Sequence, residues 1–255
     1  MWIRCVLVWI ICERGGIMGE IYRESIVIKS HETDSNGRLS IPMLVRLLLY
    51  VSNRQTERLG NTCILQEKGL TWFILQHDLT IHQMPKVDDT ITVETEALSY
   101  NKFFTYRRFK VFINDTVFVE TVMKFALVDM IERKLVRIDP KFVNVYKAER
   151  LSTSQKMTKI KRLDVCSDSQ EYSIRQTDID MNQHVNNAVY LEWIWKSLPN
   201  IYHDKLPKHL AIIYENEVRS GKVQHYCQNE EKVTYHVIKA EDLNLARAVI
   251  LWEYL

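Results

Sequence analysis

The feature that most constrains this chain is an internal repeat. The stretch Ile28-Lys29-Ser30-His31-Glu32-Thr33-Asp34-Ser35-Asn36 returns as Ile174-Arg175-Gln176-Thr177-Asp178-Ile179-Asp180-Met181-Asn182, at a constant offset (182 − 36 = 146 and 180 − 34 = 146). Ile, Asp and Asn coincide, and Lys29/Arg175 and Glu32/Asp178 match in charge. A chain that repeats itself at such a distance builds one supersecondary unit twice.

The residues downstream of each copy are patterned alike. Leu44, Leu47, Leu48 and Val51 recur at helical spacing, as do Tyr190, Leu191, Ile194, Trp195 and Leu198, so each copy carries a helix with a broad apolar face. Ser40 is placed to cap the first, with Pro42 in its first turn and Gly60 past its end; Asn186 or Asn187 caps the second and Pro199 stops it. These signals predict helices of about thirteen to eighteen residues. The period then changes to two, at Thr90–Thr95, Thr105–Ile113 and Val117–Val122 in the first copy. In the second it does so at Ala211–Val218, Lys222–Cys227, Lys232–Lys239 and Ala246–Tyr254. These are strands. Asn114-Asp115 is a hairpin turn signal.

One apolar helix followed by half-buried strands is buried best when the sheet curls around the helix. The expected fold is therefore α+β, a tandem (double) hot-dog of two antiparallel sheets, each wrapped around a long central helix. The expected organisation is an N-terminal module over 18–146, a basic linker over 147–169 that crosses the surface, and a C-terminal module over 170–255. Residues 1–17 stand apart. Their apolar run, Val6–Ile11, is too short to cross a bilayer and lacks a small-residue cleavage site before Glu13-Arg14-Gly15-Gly16. They are read as an upstream extension, non-native or without fixed order, with translation starting at Met18.

Composition narrows the chemistry. Lys and Arg exceed Asp and Glu by two, so nothing points to nucleic acid or an anionic membrane as the main partner. The five cysteines include no C-x-x-C pair and have no histidine at ligand spacing beside them. No disulfide scaffold, metal site or cofactor is expected, and the compartment is read as the cytoplasm.

The chemical signal is concentrated in Asp180-Met181-Asn182-Gln183-His184-Val185-Asn186-Asn187, which places a carboxylate, an imidazole and several amides at the entry to a buried helix. Helix N-termini present unpaired N–H donors that favour developing negative charge. The repeat supplies an internal control: the first copy keeps Asp34 and Asn36 but has Arg38 where the second has His184, and enters its helix through Ser40-Ile41 rather than Asn186-Asn187. A residue in both copies serves a shared turn as readily as chemistry. His184, present only in the second, is the stronger catalytic candidate.

This motif, the strand before it and the first-copy pattern Asn36-Gly37-Arg38-Leu39-Ser40 resemble the acyl-ACP thioesterases of bacteria and plant plastids, from about Tyr22 to Tyr254. The resemblance implies hydrolysis of the thioester of a fatty acyl-[acyl carrier protein], with Asp180, Asn182 and His184 acting beside a glutamate in a Tyr-x-x-Glu context. Tyr214-Glu215-Asn216-Glu217 matches, which assigns that role to Glu217. Many plant relatives have a cysteine after this glutamate; here Val218 stands there, which argues against a thiol nucleophile. The chemistry implied is water activated by His184 and Glu217, with Asn182 orienting it or the carbonyl and Asp180 either positioning these groups or attacking directly. Backbone N–H groups near Asn186 and Asn187 would hold the oxyanion.

The resemblance also implies an acyl tunnel beside the first helix, for which Met43, Leu47 and Trp72 are candidates, and an acidic carrier protein as partner. A docking patch for it is sought in the basic linker, with Arg107, Arg108 and Lys110 added. No membrane span is expected, and a homodimer is compatible with the fold. Two alternatives stay open: an acyl-CoA thioesterase on the same fold, and a non-catalytic acyl-binding protein.

Overall fold

The computed structural model describes residues 19–163 and 169–253. The expected extension, the start at Met18 and part of the expected linker lie outside them. In chain order the strands are β1 (Tyr22–Val27), β2 (Leu70–Ile81), β3 (Thr90–Tyr100), β4 (Phe104–Ile113), β5 (Thr116–Asp129), β6 (Lys134–Leu135) and β7 (Glu149–Arg150). The second half adds β8 (Ser169–Ser173), β9 (Pro207–Tyr214), β10 (Lys222–Glu230), β11 (Val233–Ala240) and β12 (Leu243–Trp252). The helices are α1 (Ile41–Arg58), α2 (Asn61–Glu67) and α3 (Asn187–Ser197).

The two expected sheets are one. Their order is β1-β3-β4-β5-β2-β9-β12-β11-β10-β8, and the join is antiparallel pairing of Gln76–Thr80 on β2 with His209–Ile213 on β9. The strand that makes the join, β2, has no period-two signature in the sequence. Its first half, Leu70 to Leu75, is almost wholly apolar and half-buried throughout, so it shows no alternation. On the helix side, α1, α3 and inward residues of both halves, among them Leu48, Leu79, Leu191 and Ile250, share one core. Arg46 on α1 pairs with Glu192 on α3 at 2.8 Å. These two occupy the same repeat position (192 − 46 = 146).

The other face of the join is crossed by the segment between the modules. The β7 residues pair in parallel with Ser99 and Tyr100 of β3. The Thr158 N–H then donates to Asp78 Oδ2 at 2.7 Å and its carbonyl accepts from Gln76 Nε2 at 2.8 Å, while Ile160 buries against Ala211 and Val249.

Three expectations need correction. The second helix has 11 residues rather than thirteen or more, because Leu198 leaves the helical region ahead of Pro199. Ser40 stands at the N-cap of α1 but its hydroxyl makes no capping bond; Asn186 does cap α3, its side chain accepting from the Ala188 N–H at 3.0 Å. Arg107 adds nothing to a surface patch, since it is buried and donates to Gln55 Oε1 and Thr95 Oγ1. Arg108 is engaged with Glu96 at 2.5 Å.

Candidate active site

Three bonds of the repeated loop are the same in both copies. In the first copy Asp34 N–H donates to Arg38 O (2.7 Å), Gly37 N–H to Asp34 O (3.0 Å) and Asn36 N–H to Asp34 Oδ1 (2.9 Å). In the second, Asp180 N–H donates to His184 O (2.9 Å), Gln183 N–H to Asp180 O (3.0 Å) and Asn182 N–H to Asp180 Oδ1 (2.8 Å). The turn needs a left-handed residue, which Gly37 supplies at φ 69° and Gln183 at φ 64°. A non-glycine residue in that region costs about 1–2 kcal/mol. Asp180 and Asn182 therefore have a demonstrable turn role, whatever else they do.

His184 projects from this loop with only 7% of its surface exposed. Its Nδ1 lies 3.8 Å from Asp180 Oδ1 and its Nε2 3.4 Å from Glu217 Oε1. Phe73 of β2 packs edge-on against the imidazole, with ring centroids 5.5 Å apart. Glu217 is not on a strand as expected. β9 ends at Tyr214, having left β2 after Ile213 pairs with Gln76. The following residues are anchored by bonds from Glu215 N–H to Leu245 O (2.8 Å) and from Val185 N–H to Val218 O (2.9 Å).

That last bond extends the internal control. Its counterpart in the first copy runs from Leu39 N–H to Pro85 O at 2.7 Å, so Pro85 corresponds to Val218 and the buried Met84 to Glu217. The first copy thus lacks both the imidazole and the carboxylate. Arg38 fills its loop instead, donating to Asp34 Oδ2 at 3.0 Å and to His203 O at 2.8 Å.

His184 Nε2 and Glu217 Oε1 are buried and meet no hydrogen-bond partner within the protein. Buried polar atoms are nearly always paired, so two such atoms face to face mark a place for a reacting molecule. At 3.4 Å they leave no room for a water between them; a water serving both must bond from the side.

The helix entrance is more committed than expected. The Asn186 N–H donates to Asp178 O at 2.8 Å and the Asn186 side chain holds the Ala188 N–H. Of the two amides proposed for an oxyanion, the Asn187 N–H is the one these bonds leave available. The Asn187 carbonyl accepts from Tyr214 Oη at 3.1 Å, and burial pushes the Tyr214 phenol well above its ordinary range, so it stays a neutral donor. Met43, Leu47 and Trp72 are partly buried against the main core, and Trp72 also touches the smaller cluster around Leu127 and Phe142.

Two residues at the site were not legible in the sequence. Phe73 lies on the strand without a period, and Arg133 forms an ion pair with Glu217 from the turn between β5 and β6. Its setting, Glu132-Arg133-Lys134, reads as an ordinary charged hairpin tip.

Comparison with known proteins bears on the whole chain. Residues 19–146 match the family model "Acyl-ACP thioesterase N-terminal domain" and residues 161–254 match "Acyl-ACP thioesterase C-terminal domain". An oleoyl-acyl carrier protein thioesterase of Coriandrum sativum chloroplasts is 24% identical over 84% of this chain. The chain spans 62% of that relative's length. A structure from Lactobacillus plantarum assigned as an oleoyl thioesterase superposes with a TM-score of 0.87 at 26% identity, covering 93% of this chain and 97% of that one. The fold is shared with a 12:0-ACP thioesterase from Umbellularia californica (TM-score 0.80, 17% identity, 91% and 94% covered). With both halves matched in order, the chain belongs to the acyl-ACP thioesterase family.

Proposed function

We propose that this protein hydrolyses the thioester of a fatty acyl-[acyl carrier protein], releasing the free fatty acid and the carrier's thiol. The observation that carries the reading is the His184 imidazole held against the Glu217 carboxylate, both with unpaired buried atoms on the facing side. A water bonded to these two atoms loses its proton as its oxygen attacks the thioester carbonyl carbon. General-base catalysis of this kind contributes about 10²–10⁴ in rate. The oxyanion of the tetrahedral intermediate is stabilised by the Asn187 N–H at the start of α3. As the intermediate collapses, the C–S bond breaks and the proton held by the His184–Glu217 pair passes to the departing sulfur.

Asp180 is assigned a positioning role, since its Oδ1 already holds the Asn182 N–H and faces His184 Nδ1; Asn182 orients the water or the carbonyl. The acyl chain enters the first module beside α1, past Met43, Leu47 and Trp72. We place the protein in the cytoplasm, in keeping with five cysteines that include no C-x-x-C pair. Among the described residues no helix is long and apolar enough to cross a membrane.

The test is a ladder of acyl chain lengths, each presented on carrier protein and on CoA, with released acids quantified. The reading expects release from the carrier at a higher kcat/KM than from CoA. Equal or greater efficiency on CoA would contradict the carrier as partner.

A further inference from the structure

The ion pair between Arg133 and Glu217 joins the modules at the reacting atoms. Arg133 belongs to the first module, whereas His184, Asp180 and Glu217 belong to the second. Its backbone is held in the turn and its side chain lies against Phe73. The Arg133 N–H donates to Asp129 O at 2.8 Å, and its backbone is left-handed at φ 56°. The turn is held by Asp129 Oδ1, which accepts from Ile131 N–H at 2.8 Å and Glu132 N–H at 2.9 Å. The guanidinium carbon sits 5.4 Å from the centroid of the Phe73 ring, the same ring that packs edge-on to His184.

Glu217 presents one oxygen to each neighbour: Oε2 to Arg133 and Oε1 to His184 Nε2 at 3.4 Å. A glutamate on an extended segment beyond the end of a strand has several rotamers open to it, and ordering it costs entropy. A guanidinium on one oxygen fixes the orientation of the carboxylate.

We propose that Arg133 is a positioning residue for the reaction: it holds Glu217 turned toward His184, so that the second module's site is complete only with the first module's β5–β6 turn in place. This rests on the hydrolytic reading above. The charged and titratable groups that face Glu217 in this arrangement are Arg133 and His184, with Asp180 on the far side of the imidazole.

The experiment compares full-length wild-type protein with Arg133→Met and Arg133→Lys on one acyl-carrier substrate, recording kcat, KM and the thermal midpoint. Loss of the charge should lower kcat about 10- to 100-fold and leave KM within about threefold. Arg133→Lys, which restores the charge without the fork, should recover part of the lost kcat. An Arg133→Met variant with wild-type kcat overturns the proposal. So does an equal loss in both variants with a lowered thermal midpoint, which would show a structural role only. A wild-type protein that releases no acid overturns the hydrolytic reading, and this one with it.

Discussion

At the scale of single residues, the repeat separates what the turn needs from what the proposed chemistry needs. Asp and Asn occur in both copies and make the same backbone bonds in both, whereas His184 and Glu217 are replaced by Arg38 and Met84. His184 was legible because the two copies differ there. Glu217 was legible only through the resemblance, since a lone carboxylate near Glu215 and Arg219 carries no pattern of its own. Phe73 and Arg133 were not legible, because what matters about them is a contact across the modules.

The histidines outside the site have a measurable consequence. Burial lowers His77 to about 3 and His225 to about 4, and lowers His236 well below its ordinary value, with the neighbouring His225 adding to the effect. His225 Nε2 meets His236 Nδ1 at 3.0 Å. His236 Nε2 reaches Thr234 Oγ1 at 2.9 Å, which in turn accepts from Trp252 Nε1 at 3.0 Å. In the unfolded chain these imidazoles bind protons near the ordinary value of 6.5, so as pH falls the unfolded state takes up protons first. Stability is complete above about pH 6.5 and is lost as pH drops toward 4, at about 1.4 kcal/mol per pH unit for each histidine. Thermal midpoints should therefore fall steeply between pH 6.5 and 4.5, less so for His77→Leu. An unchanged slope in that variant would show that His77 does not contribute.

At the scale of elements, the helices and most strands were legible because half-buried elements alternate or repeat visibly. β2 was not, because its apolar first half, Leu70–Leu75, is half-buried throughout and carries no alternation. The caps show that a correct position does not imply a bond: Asn186 holds the Ala188 N–H, whereas the Ser40 hydroxyl holds nothing in α1. Asn186→Ala should cost about 1 kcal/mol in chemical denaturation, and Ser40→Ala much less. Equal costs would contradict this account of the two helix starts.

At the scale of the molecule, two modules become one sheet through five residues of β2 paired with five of β9. Edge-to-edge pairing leaves no periodic trace, so the sequence pointed to two sheets and not to their fusion. The join has a functional consequence. Where β9 parts from β2, Glu217 lies beyond the end of the strand, within reach of His184 and Arg133. The most direct measurement is single-turnover release of fatty acid from acyl-carrier substrate by the wild-type protein and by His184→Ala, with thermal midpoints recorded for both. The account predicts stoichiometric release by the wild type, and a rate lower by about 10²–10⁴ in a variant that remains folded. Release by folded His184→Ala within a few-fold of the wild type would contradict it.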